Sequence, residues 1–243
     1  MQKELDNWFA SWFNTPYYHT LYKDRDYKEA SLFMDNLTSY LKLTKESKIL
    51  DLACGKGRHA IYLHSIGYTV TGVDLSKKSI AYAKQFERPG LTFHVHDMCE
   101  PFQDKFDAVF NLFTSFGYFE DPNDNLRTIK AIKSDLKPDG LGVIDFMNVN
   151  YVLNTMVAEE TKIIDGLEFN INKRLENGYI IKDIRFKDNN TPYHFTEKVK
   201  ALTQDDFLEY FKHAQVEVQH CFGDYKLQPF NVETSDRLIL IFK

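Results

Sequence analysis

The segment that most constrains the fold is residues 49–59, with the sequence ILDLACGKGRH. A short apolar run there ends in Asp51, and Gly55 and Gly57 follow before a helical pattern begins. Because glycine has no Cβ, the backbone can turn sharply at these positions and a ligand can lie against it. Free N–H groups at the start of the helix suit a carboxylate or another anion. The segment therefore predicts a buried strand, a tight turn and a helix N-terminus that bind a ligand.

A second strand follows the first helix and ends in an acid. After a turn at Gly67, residues 69–73 read TVTGV and lead directly into Asp74. A carboxylate at the tip of the second strand is placed to accept hydrogen bonds from the two vicinal hydroxyls of a ribose. Together with the glycine turn, Asp74 predicts a ligand that contains a nucleoside and a small charged group.

Two cofactor classes fit this description. Residues 55–60, GKGRHA, satisfy the G-x-G-x-x-A pattern of dinucleotide sites, with Asp74 near the place of the ribose-binding acid. In that fingerprint, however, the first glycine follows the strand directly, whereas here Asp51 ends the strand and three residues precede the glycines. At every position the segment resembles motif I of class I S-adenosylmethionine-dependent methyltransferases, h-h-D-h-x-x-G-x-G. The resemblance implies S-adenosylmethionine as cofactor and S-adenosylhomocysteine as product.

The resemblance also implies which residues contact this cofactor. It places Asp51 near the amino acid portion and Asp74 on the ribose. At the end of the third strand, it implies that Asp97 accepts from the adenine amino group and that Met98 stacks on the ring; a solvated loop acid is the alternative for Asp97. The cofactor-binding residues that it implies are Asp51, Ala53, Gly55, Gly57, Asp74, Leu75, Asp97, Met98 and Asn111.

The segment after the fourth strand is the expected meeting point of cofactor and acceptor. Residues 111–119, NLFTSFGYF, resemble motif IV of the same family, but they lack the [D/N]-P-P-[Y/F] signature of many DNA and protein-glutamine enzymes. This difference disfavours base amino groups and glutamine amides as acceptors. An amine nucleophile needs only to be uncharged, whereas a hydroxyl benefits from a general base. Five side chains are candidates for catalytic groups where cofactor and acceptor are expected to meet: Tyr18, His19, His59, Tyr118 and Asp145. Of these, Tyr18 and Tyr118 are our catalytic predictions.

The N-terminal residues are rich in aromatic side chains. A helix is predicted over residues 4–13 and ends at Pro16, and residues 17–22 carry no regular period. Several small-molecule members of the family have an N-terminal tyrosine over the cofactor, and Tyr18 matches it, which supports a lid. The alternative is a segment that simply packs across the domain surface.

Strands and helices alternate from residue 49 to residue 146 and predict an α/β fold. The resemblance implies a Rossmann-like, doubly wound sheet of seven strands whose last strand is antiparallel, with closing strands at residues 216–222 and 237–242. Before them, residues 163–201 read as strands around a strong hairpin turn at Asn177-Gly178, which predicts a small inserted antiparallel sheet. The expected domains are residues 1–148 with 202–243, including the N-terminal lid, and residues 149–201 as the inserted subdomain.

The charge and the cysteine content of the chain limit the classes of molecule that it is expected to bind. The net charge is −5 with no Lys/Arg-rich run, so the electrostatic footprint of a nucleic-acid-binding protein is missing. The three cysteines are scattered without a C-x-x-C pair, which predicts no metal site, no disulfide framework and a cytoplasmic location. No apolar run is long enough to span a bilayer. The expected partner is a small-molecule acceptor, and the expected state is a monomer or a homodimer.

Three functions remain open at this point. The first is an S-adenosylmethionine-dependent methyltransferase that acts on a small molecule, similar to the branch that includes glycine and amino-sugar N-methyltransferases. The second is an NAD-dependent oxidoreductase, which the glycine pattern also permits. The third is a non-catalytic cofactor-binding protein, because a fold does not fix a function.

Overall fold

The computed structural model describes residues 12–13, 15–23, 27–119 and 121–243. These residues form two compact units. The core unit contains Tyr27–Val152 and Leu202–Lys243, and the insert unit contains Leu153–Ala201 with the described residues up to Lys23. Of the helix predicted over residues 4–13, all but the last two residues lie outside the described part of the chain.

The strands, in chain order, are β1 Lys48–Leu52, β2 Thr69–Asp74, β3 Leu91–Val95, β4 Phe106–Asn111, β5 Leu136–Met147, β6 Glu159–Ile164, β7 Leu167–Glu176, β8 Tyr179–Asp188, β9 Thr191–Lys200, β10 Val218–Phe222 and β11 Arg237–Phe242. The helices are α1 Pro16–Leu21, α2 Tyr27–Tyr40, α3 Arg58–Ser65, α4 Lys77–Ala83, α5 Pro122–Asp135, α6 Val149–Thr155 and α7 Gln204–Ala214.

The core unit is built on a seven-stranded sheet in the order β10-β11-β5-β4-β1-β2-β3. Strands β1 to β5 run parallel, while β11 is antiparallel to both β5 and β10. Ile49 and Leu50 in β1 and Val109 and Phe110 in β4 are all fully buried. Such continuous apolar runs are typical of parallel strands that helices cover on both faces. The predicted seven-stranded α/β fold with an antiparallel last strand is confirmed.

Side-chain caps start two of the helices. Ser76 caps α4 by accepting a hydrogen bond from Ser79 N at 3.1 Å. Thr203 and Asp206 form a reciprocal capping box at the start of α7. The first of these caps directly follows the end of β2, so it fixes how the chain leaves the carboxyl edge of the sheet.

Two short helices were not predicted from the sequence. Helix α1 begins where the predicted N-terminal helix was expected to end: Pro16 occupies its first turn, and Thr15 caps it by accepting from Tyr18 N at 3.2 Å. Proline suits this position because its missing N–H would have no helical partner there. The short helix α6, which follows β5, was not predicted either. Both helices have seven residues or fewer, too few for a periodic pattern to stand out.

The insert unit is a four-stranded antiparallel sheet in the order β6-β7-β8-β9, which confirms the predicted inserted sheet. Asn177 and Gly178 both have positive φ, as a tight hairpin between β7 and β8 requires. Asn189 and Asn190 also have positive φ and connect β8 to β9.

The N-terminal residues pack on this inserted sheet. Trp12 and Leu21 are buried in one apolar cluster with Phe169 and Phe186. Trp12 Nε1 donates to Glu197 at 2.7 Å. These contacts divide the chain differently from the predicted boundaries, which grouped residues 1–148 with the main domain and began the insertion at residue 149. The N-terminal segment instead shares its core with the inserted sheet, because its aromatic side chains are buried there.

Candidate functional site

The turn between β1 and α3 has an unusual backbone. Ala53, Gly55 and Gly57 have φ values of 63°, 56° and 83°. The turn is fastened by Cys54 N, which donates to Val73 O at 2.9 Å, and by Gly57 N, which donates to Cys54 O at 2.9 Å. The predicted strand, turn and helix are therefore present, and the backbone bends at the two glycines that the sequence singled out.

The two glycines serve different purposes. A Cβ built on Gly55 has nothing within 4 Å, so this face of the turn opens onto free space. A Cβ on Gly57 would lie 2.6 and 2.7 Å from ring carbons of Phe93, so Gly57 is required for packing. A Cβ at Gly55 would not crowd the turn itself; the positive φ of Gly55 and the space in front of it are what favour glycine there. A cofactor contact at Gly57 stays a prediction.

Asp74 lies at the tip of β2 and is tied to the glycine turn. Its Oδ2 accepts from Gly55 N at 2.8 Å, and its Oδ1 accepts from Ser76 N at 2.7 Å. Burial raises the pKa of this carboxyl, while the two backbone N–H groups oppose the shift. The next residue, Leu75, is 48% exposed. The tip of β2 thus presents a carboxylate beside an exposed apolar side chain, a pairing that suits a sugar and a base.

Asp51 is buried beneath the turn. Its Oδ2 accepts from Ala60 N, in the first turn of α3, at 3.0 Å. Burial raises the pKa of Asp51 to about 7; the Ala60 N–H lowers it, nearby Asp74 raises it and Arg58 lowers it. A cation near these two acids would stabilise their charged forms. Asp51 therefore fastens the strand to the helix and favours a positively charged ligand above it.

Asn111 ends β4 and reaches across to β1. Its Nδ2 donates to Leu52 O at 3.1 Å and contacts Met98 Sδ at 3.6 Å. The side chain is fully buried, and among the described residues its Oδ1 has no hydrogen-bond partner. Asp97 is exposed and accepts from Cys99 N at 2.9 Å. The structure thus brings Asn111 and Met98 together and leaves one buried acceptor atom at the end of β4.

A second cluster follows β4 on the side of β5 and β11. Phe113 and Thr114 have φ values of 57° and 60°. Asp145 is fully buried; its Oδ2 accepts from Phe113 N at 2.8 Å, and its backbone oxygen accepts from Thr114 N at 3.0 Å. Arg237 Nη2 lies 2.6 Å from Asp145 Oδ1. Burial raises the pKa of Asp145, and Arg237 opposes the shift.

Aromatic rings stack beside this ion pair. Phe113 stacks on His59, with ring centroids 4.7 Å apart, and on Tyr225, at 5.2 Å. The guanidinium of Arg58 lies 4.7 Å from the centroid of Phe113, and its Nη2 lies 3.1 Å from His59 Nε2. Burial lowers the pKa of His59 to about 3, and Arg58 adds to the effect. His59 is therefore a neutral, packed ring and a poor candidate for a general base.

The sequence did not point to Arg237 or Tyr225. Arg237 opens β11 and pairs with Met147, so the antiparallel closing strand brings it to the carboxyl end of β5. Tyr225 lies in the connection from β10 to β11, and its hydroxyl donates to Asp145 Oδ2 at 3.3 Å. The one available signal was Asp145, an acid in an apolar strand, which requires a buried partner.

Known proteins resemble this chain over part of its length. A family model described as a methyltransferase domain matches residues 49–140. The chain is 34% identical over 134 residues to glycine N-methyltransferase from Rattus norvegicus, covering 48% of this chain and 46% of that protein. It is 29% identical over 125 residues to dTDP-3-amino-3,4,6-trideoxy-alpha-D-glucopyranose N,N-dimethyltransferase from Streptomyces venezuelae, covering 51% and 52%. The aligned part thus spans about half the length of these curated relatives.

The fold matches over nearly the whole chain. The crystal structure of an S-adenosylmethionine-dependent methyltransferase from Clostridium acetobutylicum ATCC 824 superposes with a TM-score of 0.78 at 24% identity, covering 93% of this chain and 95% of the other. The chain has the fold of class I S-adenosylmethionine-dependent methyltransferases, and residues 49–140 match the model of a methyltransferase domain. Its closing antiparallel hairpin, β10 and β11, completes the sheet of this fold.

The residues of the core unit fit S-adenosylmethionine on three independent observations. The turn is open at Gly55, where a Cβ meets nothing within 4 Å. Asp74 stands at the strand tip where a ribose is held in sheets of this kind. Asn111 Oδ1 is a buried acceptor that no described residue satisfies. Within the described residues, no three His, Cys, Asp or Glu side chains are grouped as metal ligands.

The two predicted catalytic tyrosines lie in different units. Tyr18 belongs to the insert unit, where it packs against Trp12, Phe13 and Tyr22. Tyr118 belongs to the core unit, where it follows β4 and is half-buried. A catalytic or lid function for either tyrosine stays a prediction.

None of the helices that the structure describes has the length and apolar composition of a membrane span.

Proposed function

We propose that this protein transfers a methyl group from S-adenosylmethionine to a small-molecule acceptor, and that the acceptor atom is an amine nitrogen. The observation that carries the proposal is the junction of Gly55 and Asp74. There, a turn that is open to a ligand is hydrogen-bonded directly to the carboxylate at the tip of β2. This junction combines close backbone approach with a ribose-binding acid.

The residues of the domain would hold the cofactor at the carboxyl ends of β1 to β4. Asp74 would bind the ribose hydroxyls, and Leu75, Asp97 and Met98 would surround the base. Asp51 would act from below the turn, by fixing the start of α3 and by favouring positive charge. When bound, the cofactor supplies a methyl group on a sulfonium. The chain contributes alignment and the exclusion of water, which are the main requirements of an in-line transfer.

The electrostatics of the site favour an amine acceptor. A hydroxyl would benefit from a general base, whereas a neutral amine attacks with its own lone pair. The most buried imidazole near the site, His59, stacks on Phe113, and its Nε2 faces the guanidinium of Arg58. The carboxylate of Asp145 is already paired with the guanidinium of Arg237, so it is a poor candidate for a general base. The names of the relatives, a glycine N-methyltransferase and an amino-sugar N,N-dimethyltransferase, point to the same acceptor chemistry.

The test is the release of S-adenosylhomocysteine from S-adenosylmethionine by the full chain. The acceptor panel contains glycine, sarcosine, a nucleotide-linked amino sugar, the matching sugar with a hydroxyl in place of the amine, and a simple carboxylate. We expect release with at least one amine and none with its hydroxyl counterpart. Release with the hydroxyl sugar alone would contradict the amine assignment, and no release with any member would contradict methyl transfer to these acceptors.

The remaining expectations belong to this proposal. We propose a cytoplasmic location, which the three free cysteines, Cys54, Cys99 and Cys221, support. The acidic net charge of −5 supports a small-molecule partner over nucleic acid. A monomer or a homodimer stays our prediction for the oligomeric state.

A further inference from the structure

The segment after β4 holds two consecutive strained residues. Phe113 and Thr114 both adopt the left-handed conformation, and neither is glycine. For such residues this conformation is strained, and it persists only where the surroundings enforce it. The segment also lies at the carboxyl end of β4, the edge at which sheets of this type bind ligands. Two questions follow: which contacts hold Phe113 and Thr114 in this conformation, and what the conformation does at the ligand-binding edge.

The cause is the buried ion pair between Asp145 and Arg237. Asp145 accepts from Phe113 N through its carboxylate and from Thr114 N through its backbone oxygen. Arg237 Nε donates to Asp145 Oδ1 at 2.8 Å, and its Nη2 also donates to Thr114 Oγ1 at 3.1 Å. The side chain of Arg237 is 16% exposed and that of Asp145 is fully buried. Both strained residues are therefore held at their N–H groups, and Thr114 is held at its side chain as well.

The sheet order suggests the purpose. The residues proposed to hold the cofactor lie at the ends of β1, β2, β3 and β4, and Asn111 reaches from β4 toward β1. The N–H groups of Phe113 and Thr114 and the side chain of Thr114 bond toward β5 and β11, to Asp145 and Arg237, while the ring of Phe113 also stacks on His59 at the start of α3. We call the ends of β1, β2 and β3 with Asn111 the cofactor half, and the segment 113–114 with Asp145, Tyr225 and Arg237 the acceptor half.

We propose that the Asp145–Arg237 pair is a positioning device for the acceptor: it holds Phe113 and Thr114 in their strained conformation so that this segment aligns the nucleophile. The inference rests on the proposed function and adds positioning residues to it. The pair acts through Thr114 and Phe113. Tyr225 belongs to the same device, because its ring stacks on Phe113 and its hydroxyl donates to Asp145.

The direct substitution, Asp145→Asn, is a poor first test because it removes the buried counter-charge of Arg237 and risks unfolding the chain. Thr114→Val is sharper. Valine has the shape and β-branching of threonine, so the backbone strain is unchanged, while the acceptor atom for Arg237 Nη2 is lost. Thr114→Ser keeps that oxygen and tests for rescue. Thr71→Val, in the interior of β2, is the matched control for replacing a threonine elsewhere in the sheet.

The experiment measures S-adenosylhomocysteine affinity by calorimetry, and kcat and acceptor KM with the best acceptor of the panel. For Thr114→Val, we expect kcat/KM for the acceptor to fall roughly tenfold, as the loss of one charge-assisted hydrogen bond implies. The affinity for S-adenosylhomocysteine should stay within about twofold of the parent value. Thr114→Ser should restore most of the lost kcat/KM, and Thr71→Val should behave as the parent chain.

The outcomes separate this inference from the proposed function. If Thr114→Val has the same kcat/KM as the parent chain, the positioning role is overturned, and the proposed methyl transfer is unaffected. A parallel loss of S-adenosylhomocysteine affinity would also overturn it, because the device would then serve the cofactor half. A failure of Thr114→Ser to restore activity would show that the hydrogen bond is not the cause. A parent chain that is inactive with every acceptor would remove the proposed function, and this inference with it.

Discussion

The two halves of the sheet edge are constructed in opposite ways. In the cofactor half, short-range backbone groups make most of the contacts: Gly55 N and Ser76 N donate to one carboxylate, and the turn beside it is open. In the acceptor half, Arg237 of β11, Tyr225 of a connection and the N–H of Phe113 after β4 are joined around Asp145 of β5. A site for a shared cofactor can be made from a local turn and one acid, whereas a site for a particular acceptor needs long-range contacts.

The difference also concerns strain and charge. The cofactor half places glycine at two of its left-handed positions, which costs little. The acceptor half places Phe113 and Thr114 there, and a buried ion pair keeps them in place. In the cofactor half, the carboxylates of Asp51 and Asp74 accept from backbone N–H groups, whereas in the acceptor half the carboxylate of Asp145 is paired with Arg237. We expect the first half to favour a cation and the second to favour an uncharged nucleophile.

The largest expected effect comes from Gly55→Val. A Cβ there meets no protein atom within 4 Å, so the variant should fold, but it would fill the space in front of the turn and strain a φ of 56°. We expect the loss of S-adenosylhomocysteine binding, by about two decades or more. Calorimetry on the purified variant gives the affinity, and its melting curve verifies the fold.

Gly166→Val is the matched control for this change. Gly166 in the insert unit also has a positive φ, of 80°, and also has nothing within 4 Å of a built Cβ. The two variants therefore carry similar backbone strain at equally open positions. Equal affinities in Gly55→Val and Gly166→Val would refute the motif I site.

The next effect is that of Asp74→Ala. The change removes a charge-assisted pair of hydrogen bonds to the ribose, and it also releases Gly55 N and Ser76 N. We expect S-adenosylhomocysteine to bind more weakly by about one to two decades, which corresponds to roughly 1.4–2.8 kcal/mol. Asp107→Ala is a suitable control, because Asp107 also accepts from a backbone N–H, that of Lys48, at 2.7 Å. Weakening of equal size in both variants would mean that Asp74 acts only through stability.

A smaller effect concerns pH. The pKa of Asp51 is raised to about 7 from an ordinary value of 3.8, so the folded, ligand-free chain holds this proton more tightly than the unfolded chain does. The stability that this proton provides is complete below the unfolded pKa, and it is lost as the pH rises through about 7. Asp51→Asn should therefore flatten the decline in the free energy of unfolding from about pH 5 to about pH 7. Urea denaturation of both chains measures it, and identical slopes would contradict the burial argument.

The cofactor half could be predicted from the sequence because its determinants are local. Its four determinants lie within 24 consecutive residues: Asp51, Gly55, Gly57 and Asp74. Each lies at the end of a strand with a recognisable apolar run or in the turn after it. The strand ends and the glycine turn were both predicted. The separate purposes of Gly55 and Gly57 were not, because the contact with Phe93 joins residues far apart in the chain.

The acceptor half could not be predicted in the same way. Asp145 and Arg237 are 92 residues apart, and only the antiparallel pairing of β11 with β5 brings them together. The left-handed residues Phe113 and Thr114 carry no glycine or asparagine signal. The N-terminal segment presents the same difficulty, since the contact of Trp12 with Glu197 spans 185 positions.

The central claim is that the open turn at Gly55 and the acid at the tip of β2 bind S-adenosylmethionine and not a dinucleotide. Calorimetric titration of the full chain with S-adenosylhomocysteine and, separately, with NADH tests it most directly. The account predicts saturable binding of S-adenosylhomocysteine, weakened in Asp74→Ala, and no heat of binding with NADH at the same concentrations. Saturable binding of NADH, with none of S-adenosylhomocysteine, would contradict it.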